Sequence, residues 1–159
     1  MTRQKCPDSL RKYGFCAILA IIYAANLQMP QSQADLNILL IMVKEALQLS
    51  ASTWTAKLAK KQGGLSYDNI LKLLRHYHCA FEIITPIVSE SGRAPTLNKW
   101  LKSLPANSSY IVVVKKHALF VETKKSKRNW RVFDQSSIKD KTMKLKHGAH
   151  HICNVIKIL

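Results

Sequence analysis

The chain has 159 residues, enough for one domain with a hydrophobic core of its own. Apolar residues make up 47% and charged residues 21%, with five Gly and five Pro, which excludes a linker or a fibrous protein. Lys and Arg number 25 against 9 Asp and Glu, a formal charge of +16, and that excess bears on partners rather than on fold.

Four cysteines are too few for a disulfide scaffold, so a reducing, cytoplasmic compartment is expected, including that of a host cell or a virion. The charge is uneven: residues 99–159 hold 14 basic and 3 acidic residues. Its densest run is Lys124-Lys125-Ser126-Lys127-Arg128. The 115–146 region therefore reads as a contact for nucleic acid or another polyanion, or as a solvated hairpin tip.

In chain order, Pro7-Asp8-Ser9 marks a turn. The apolar run Phe15 to Ala25 is too short to cross a bilayer, and no transmembrane segment is expected. Basic residues precede it and Ser32-Gln33-Ala34 follows, the outline of a signal peptide over 1–34, in which case the protein is secreted. Pro7, Asp8 and the long polar stretch after the run favour a buried helix instead, from Phe15 or Cys16 to about Leu27, ended by Met29-Pro30. A second helix is predicted over Asp35 to Leu49, with Leu36, Leu39, Leu40, Val43 and Leu47 on one face. Ser52 or Thr53 opens a third through Lys61, closed by Gly63-Gly64. Ser66 caps a fourth, Tyr67 to about Tyr77.

The pattern then changes. Ala80 to Ile87 reads as a strand, and Leu97 to Leu104 as a short helix ended by Pro105. Tyr110–Val114, His117–Glu122, Trp130–Phe133 and His151–Leu159 read as strands. The expected fold class is α+β: one domain over 1–159, mostly helical over 1–78 and mostly β over 79–159, the β half an antiparallel sheet.

Three residues carry candidate chemistry. Cys16 stands at the start of the most apolar helix, where unpaired N–H groups and the helix dipole favour a thiolate. Buried cysteines are also ordinary core residues. His117 starts a strand after Lys115-Lys116, a place equally common for surface histidines. Asp134 ends the strand that returns through a basic hairpin tip. A hairpin centred near residue 126 sets His117 and Asp134 nearly opposite, so the carboxylate can orient the imidazole. A salt bridge is the other use for such an acid.

The order of these pieces resembles the papain-like cysteine peptidases, closest to the double-glycine, bacteriocin-processing branch and its stand-alone relatives. The resemblance rests on GFCAILAIIYA, GGLSYDNILKLLRHYHCAFEII, LNKWLKSLP, SYIVVV, KHALFVE and RVFDQSS, and covers most of the chain. It implies a papain-like fold, the Cys-bearing central helix packed on the sheet. It also implies Cys16 as nucleophile, His117 as base and Asp134 as orienter, with no metal or organic cofactor. The chain departs from the family at several places. The usual Gln six residues before the Cys is Leu10, and the nearest Gln is Gln4. Asp-Cys-Gly is Phe15-Cys16-Ala17, and Gln135 follows Asp134 where Pro is common.

His147, His150, His151 and Cys153 crowd a short stretch without a second ligand pair at finger-like spacing, so no metal site is expected there. His76, His78 and Cys79 read as packing or capping residues, and Cys6 as a resolving thiol or a neighbour of Cys16 by accident. Trp54, Trp100 and Trp130 read as core or rim residues. The leading expectation is a cysteine peptidase acting on protein or peptide substrates that are acidic or bound to nucleic acid, as in viral or phage precursor processing. The alternatives are a non-catalytic basic module that binds nucleic acid or an acidic partner, and an isopeptidase or acyltransferase with the same triad.

Overall fold

The computed structural model describes residues 3–11, 15–48, 65–86, 88–115, 117–125, 129–134 and 137–159. The predicted third helix (Ser52 or Thr53 to Lys61) with Gly63-Gly64, and the residues Trp54 and Gln135, lie outside them. Four α-helices and six strands are found among the described residues, an α+β arrangement as expected.

The first helix, α1 (Cys16–Ala24), is buried from Cys16 through Tyr23. A helix apolar on every side must lie inside the molecule. It ends before the expected Leu27 because Asn26 takes a left-handed conformation (φ 54°), which Asn tolerates, and Leu27 N–H donates back to the Ile22 carbonyl at 3.0 Å. Helix α2 (Gln33–Ala46) starts two residues before the predicted Asp35, since Ser32 caps it by accepting from Asp35 N–H at 3.2 Å. Its buried stripe is Leu36, Leu40 and Val43. Helix α3 (Tyr67–His76) is capped by Ser66, and buries Ile70, Leu71, Leu73 and Leu74. Helix α4 (Leu97–Leu101) is capped by Thr96 and stops short of the predicted Leu104.

The strands are β1 (Phe81–Ile84), β2 (Ser109–Val114), β3 (His117–Thr123), β4 (Trp130–Phe133), β5 (Ile138–Asp140) and β6 (Ile152–Ile158). They form one antiparallel sheet in the order β1-β6-β2-β3-β4-β5. Strand β5 was not anticipated: three half-buried residues at an edge carry too little alternation to read. Strand β1 is shorter than the expected Ala80–Ile87.

Both faces of the sheet are covered. Helices α1 to α3 pack on one, against Ile111, Phe120, Phe133 and Ile156. Helix α4 packs on the other, where Leu97, Trp100 and Leu101 meet Val112, Leu119, Val132 and Val155. Burial on both faces is why β2 and β3 read as continuous apolar runs. At the centre of the first layer, Phe120 stacks on Tyr23 (5.8 Å between centroids) and meets Phe133 (5.6 Å). Arg3 lies over the Phe120 ring and bonds Glu122 of β3 at 2.8 Å, tying the N-terminal segment to the sheet. No helix among the described residues is long and apolar enough to cross a membrane.

Candidate active site

Cys16 is the first residue of α1 and is 5% exposed. The first turn of a helix turns backbone N–H groups outward, and its dipole favours an anion there. No acidic residue stands in that turn to compete. Helix α1 lies against β3 and β2, so its N-terminus comes to the end of the sheet.

His117 is the first residue of β3. A tight turn from β2 places it there: Val114 and His117 pair, and Lys115 between them takes positive φ (21°). Asp134 follows β4, and its turn is closed by Asp134 N–H donating to the Ser137 carbonyl at 2.9 Å. The β3–β4 ladder pairs Phe120 with Phe133. One step further, Asp134 stands across from Leu119, so it meets His117 on the diagonal, close to the nearly opposite placement expected from the hairpin count.

His117 Nε2 donates to Asp134 Oδ1 at 2.8 Å, with the two side chains 19% and 11% exposed. The Cys16 side chain hydrogen-bonds the same ring. With Nε2 taken by the carboxylate, Nδ1 is the ring nitrogen left for a second partner. One imidazole thus bridges the thiol and the acid. Burial opposes a charge on His117. The hydrogen bonds to Asp134 and Cys16, and the negative charges of both, outweigh it and push the pKa from 6.5 up to about 9. The imidazolium is the ordinary form at neutral pH.

His147 completes the surroundings and was not singled out as part of this site. It stacks on His117, with centroids 4.3 Å apart and planes 26° apart. Burial first, and then the charge of His117, hold its pKa below the usual histidine range, so it stays neutral beside the imidazolium. Its loop is docked on the start of α4: Leu97 N–H donates to the His150 carbonyl and Asn98 N–H to the Gly148 carbonyl, both at 2.9 Å. Gly148 permits this, because a Cβ there would lie 2.4 Å from Asn98 Oδ1. No local spacing in the sequence signals such a contact.

The histidine cluster near the end of the chain is split. His147 faces His117, with His150 beside it (Nδ1 to Nδ1 3.2 Å), while His151 Nδ1 donates to the Ala94 carbonyl at 2.6 Å and Cys153 is exposed. Ligand atoms of His117, Asp134 and His147 lie within 4.8 Å of one another and could reach a common ion. One Asp134 oxygen, Oδ1, is already bonded to His117.

Leu10, at the position of the expected glutamine, is 1% exposed in the core. The segment of Gln4 is held instead through its backbone carbonyl, which accepts from Tyr23 Oη at 3.0 Å. Cys6 is buried, and no disulfide joins Cys6, Cys16, Cys79 and Cys153. Cys79 Sγ packs at the Ala24 carbonyl (3.6 Å), and Trp100 is buried edge-on against Tyr110 (5.2 Å). In the 115–146 region, Lys115, Lys124, Lys125, Lys141, Lys144 and Lys146 are exposed.

A groove of about 720 Å³ runs beside α4 between Ile84, Trp100 and Tyr110, and holds none of the three site residues. A smaller cavity of about 440 Å³ adjoins Asp134 and His147. Chemistry, not volume, favours the second. Comparison with protein-family models, curated proteins and solved structures finds no match to this chain.

Proposed function

We propose that the chain is a papain-like cysteine peptidase with Cys16 as nucleophile, His117 as general acid and base, and Asp134 as the group that orients His117. The observation that carries this reading is the His117 ring, which bonds Asp134 through Nε2 and also engages the Cys16 side chain. A nucleophile, a base and an orienter in that chain of contacts is the arrangement covalent acyl transfer needs.

The Cys16 thiolate attacks a peptide carbonyl carbon, and the C=O pair moves onto oxygen. The positive end of α1 faces the oxyanion. His117 gives its Nδ1 proton to the departing amine as the C–N bond breaks, leaving a thioester on Cys16. The neutral ring then takes a proton from water, whose oxygen attacks the thioester, and the acid leaves as the thiolate re-forms. Asp134 keeps Nε2 protonated throughout. An isopeptidase or acyltransferase would use the same steps with a different amine or acceptor.

Limiting iodoacetamide on the folded protein, read by peptide mass spectrometry, tests the reading. A thiolate paired with an imidazolium alkylates at about pH 6, where an ordinary thiol is nearly inert. Cys16 is expected to label ahead of the exposed Cys153, and His117→Ala to remove that preference. Labelling of Cys153 with Cys16 inert would overturn it. The exposed lysines of 115–146 support a second reading, a basic binding module. It predicts salt-sensitive binding that Cys16→Ala leaves unchanged.

A further inference from the structure

The cavity beside Asp134 and His147 has an apolar floor of Leu119, Val132 and Leu145, and a wall that carries Lys139, Lys144 and Lys146. Asp134 is the one carboxylate among its described lining residues, and that group is held by His117 at 2.8 Å. Three basic residues thus line the cavity against one carboxylate that is already paired. Its volume, about 440 Å³, holds one or two side chains rather than a folded surface. His147 links it to the chemistry, since its ring both lines the cavity and lies on His117.

We infer that this cavity is a specificity subsite for a carboxylate side chain, Glu or Asp, of a peptide lying across the Cys16–His117 pair. The inference rests on the peptidase reading for its orientation, but binding there needs no turnover. The methylenes of a glutamate would lie on the leucine and valine floor. Its carboxylate would meet the half-buried Lys139 and the exposed Lys144 and Lys146. The strongly basic balance of the chain thereby has a local use, separate from the Lys124–Lys125 tip.

Isothermal titration calorimetry on the full-length Cys16→Ala protein tests it without cleavage. The probes are alanine-based octapeptides with Glu moved position by position, against the same set with Gln. One position is expected to favour Glu by about tenfold at low salt, the size of one or two good surface charge pairs. Lys139→Gln with Lys144→Gln is expected to abolish most of that preference. Lys124→Gln with Lys125→Gln removes the same charge elsewhere and is expected to leave it. Equal loss in both pairs, or no loss in the first, overturns the subsite. So does tighter binding of a single-stranded oligonucleotide that depends on Lys139 and Lys144. Turnover by the wild-type protein is read separately: peptides that bind as expected but are never cleaved overturn the peptidase and leave the subsite standing.

Discussion

His117 and Asp134 meet on a diagonal of the β3–β4 ladder, two residues out of direct register, and a 2.8 Å bond from Nε2 to Oδ1 closes the gap. The imidazole is thereby drawn along the sheet end, and the same ring engages the Cys16 side chain. Asp134→Ala removes the acceptor that fixes this pose. The His117 pKa, followed by NMR, is expected to fall by about one unit or more. Peptide hydrolysis is expected to drop about a hundredfold or more. Hydrolysis at the wild-type rate in the variant would remove Asp134 from the mechanism.

Two reactions at Cys16 should part company at high pH. Hydrolysis needs the His117 proton for the leaving amine, so it is expected to decline as pH passes about 9. Alkylation by iodoacetamide needs only the thiolate and should not decline there. Parallel pH profiles with the two readouts check this. A common fall in both would point to unfolding instead.

Stability carries the same signature. His117 binds its proton more tightly in the folded chain (about 9) than in the unfolded one (6.5). Its contribution is therefore complete below pH 6.5 and is lost as pH rises through about 9. The difference is worth up to about 3 kcal/mol. Urea unfolding across this range should show the decline, and His117→Ala should flatten it.

Gly148 is the hinge of the contact between His147 and His117. In Gly148→Val the new side chain meets the Asn98 side chain, and either that side chain turns away or the loop lifts from α4. A loss of about 1–3 kcal/mol is expected, together with loss of the ring-current shift of His147 on His117. Asn98→Ala in the same chain should restore part of both, a coupling that denaturation of the double variant measures.

Phe120 is fully buried between Tyr23, Phe133 and Arg3. Phe120→Ala is expected to cost about 3–5 kcal/mol. Because β3 also carries His117, chemical denaturation and Cys16 labelling should fail together in this variant.

The site was legible where its geometry is local. Cys16 opens a helix whose apolar run is plain, and His117 and Asp134 belong to one hairpin whose ends any turn count brings close. The exact register was not legible, because it depends on how residues 124–129 turn. His147 lay beyond reach for a different reason. Its place is set by carbonyls of a loop docking on the N–H groups of α4, a contact between segments some fifty residues apart in sequence. Asn26 did carry a signal, since Asn is common where a helix ends in a left-handed residue. The edge strand β5 had none, being three residues long.

The sheet order also sets a sequence of events. Strands β2 to β5 form a meander in which each pairs with the next, so the hairpin with His117 and Asp134 needs only local chain to form. Among the described residues strand β1 pairs only with β6, the last of the six to be synthesised, which must insert between β1 and β2. During synthesis the acid and the base can therefore meet before the platform beneath them is whole. Pulsed hydrogen exchange during refolding should protect Phe120 and Val121 ahead of Ile83, and the lag between them is the time the chain spends with an open seam.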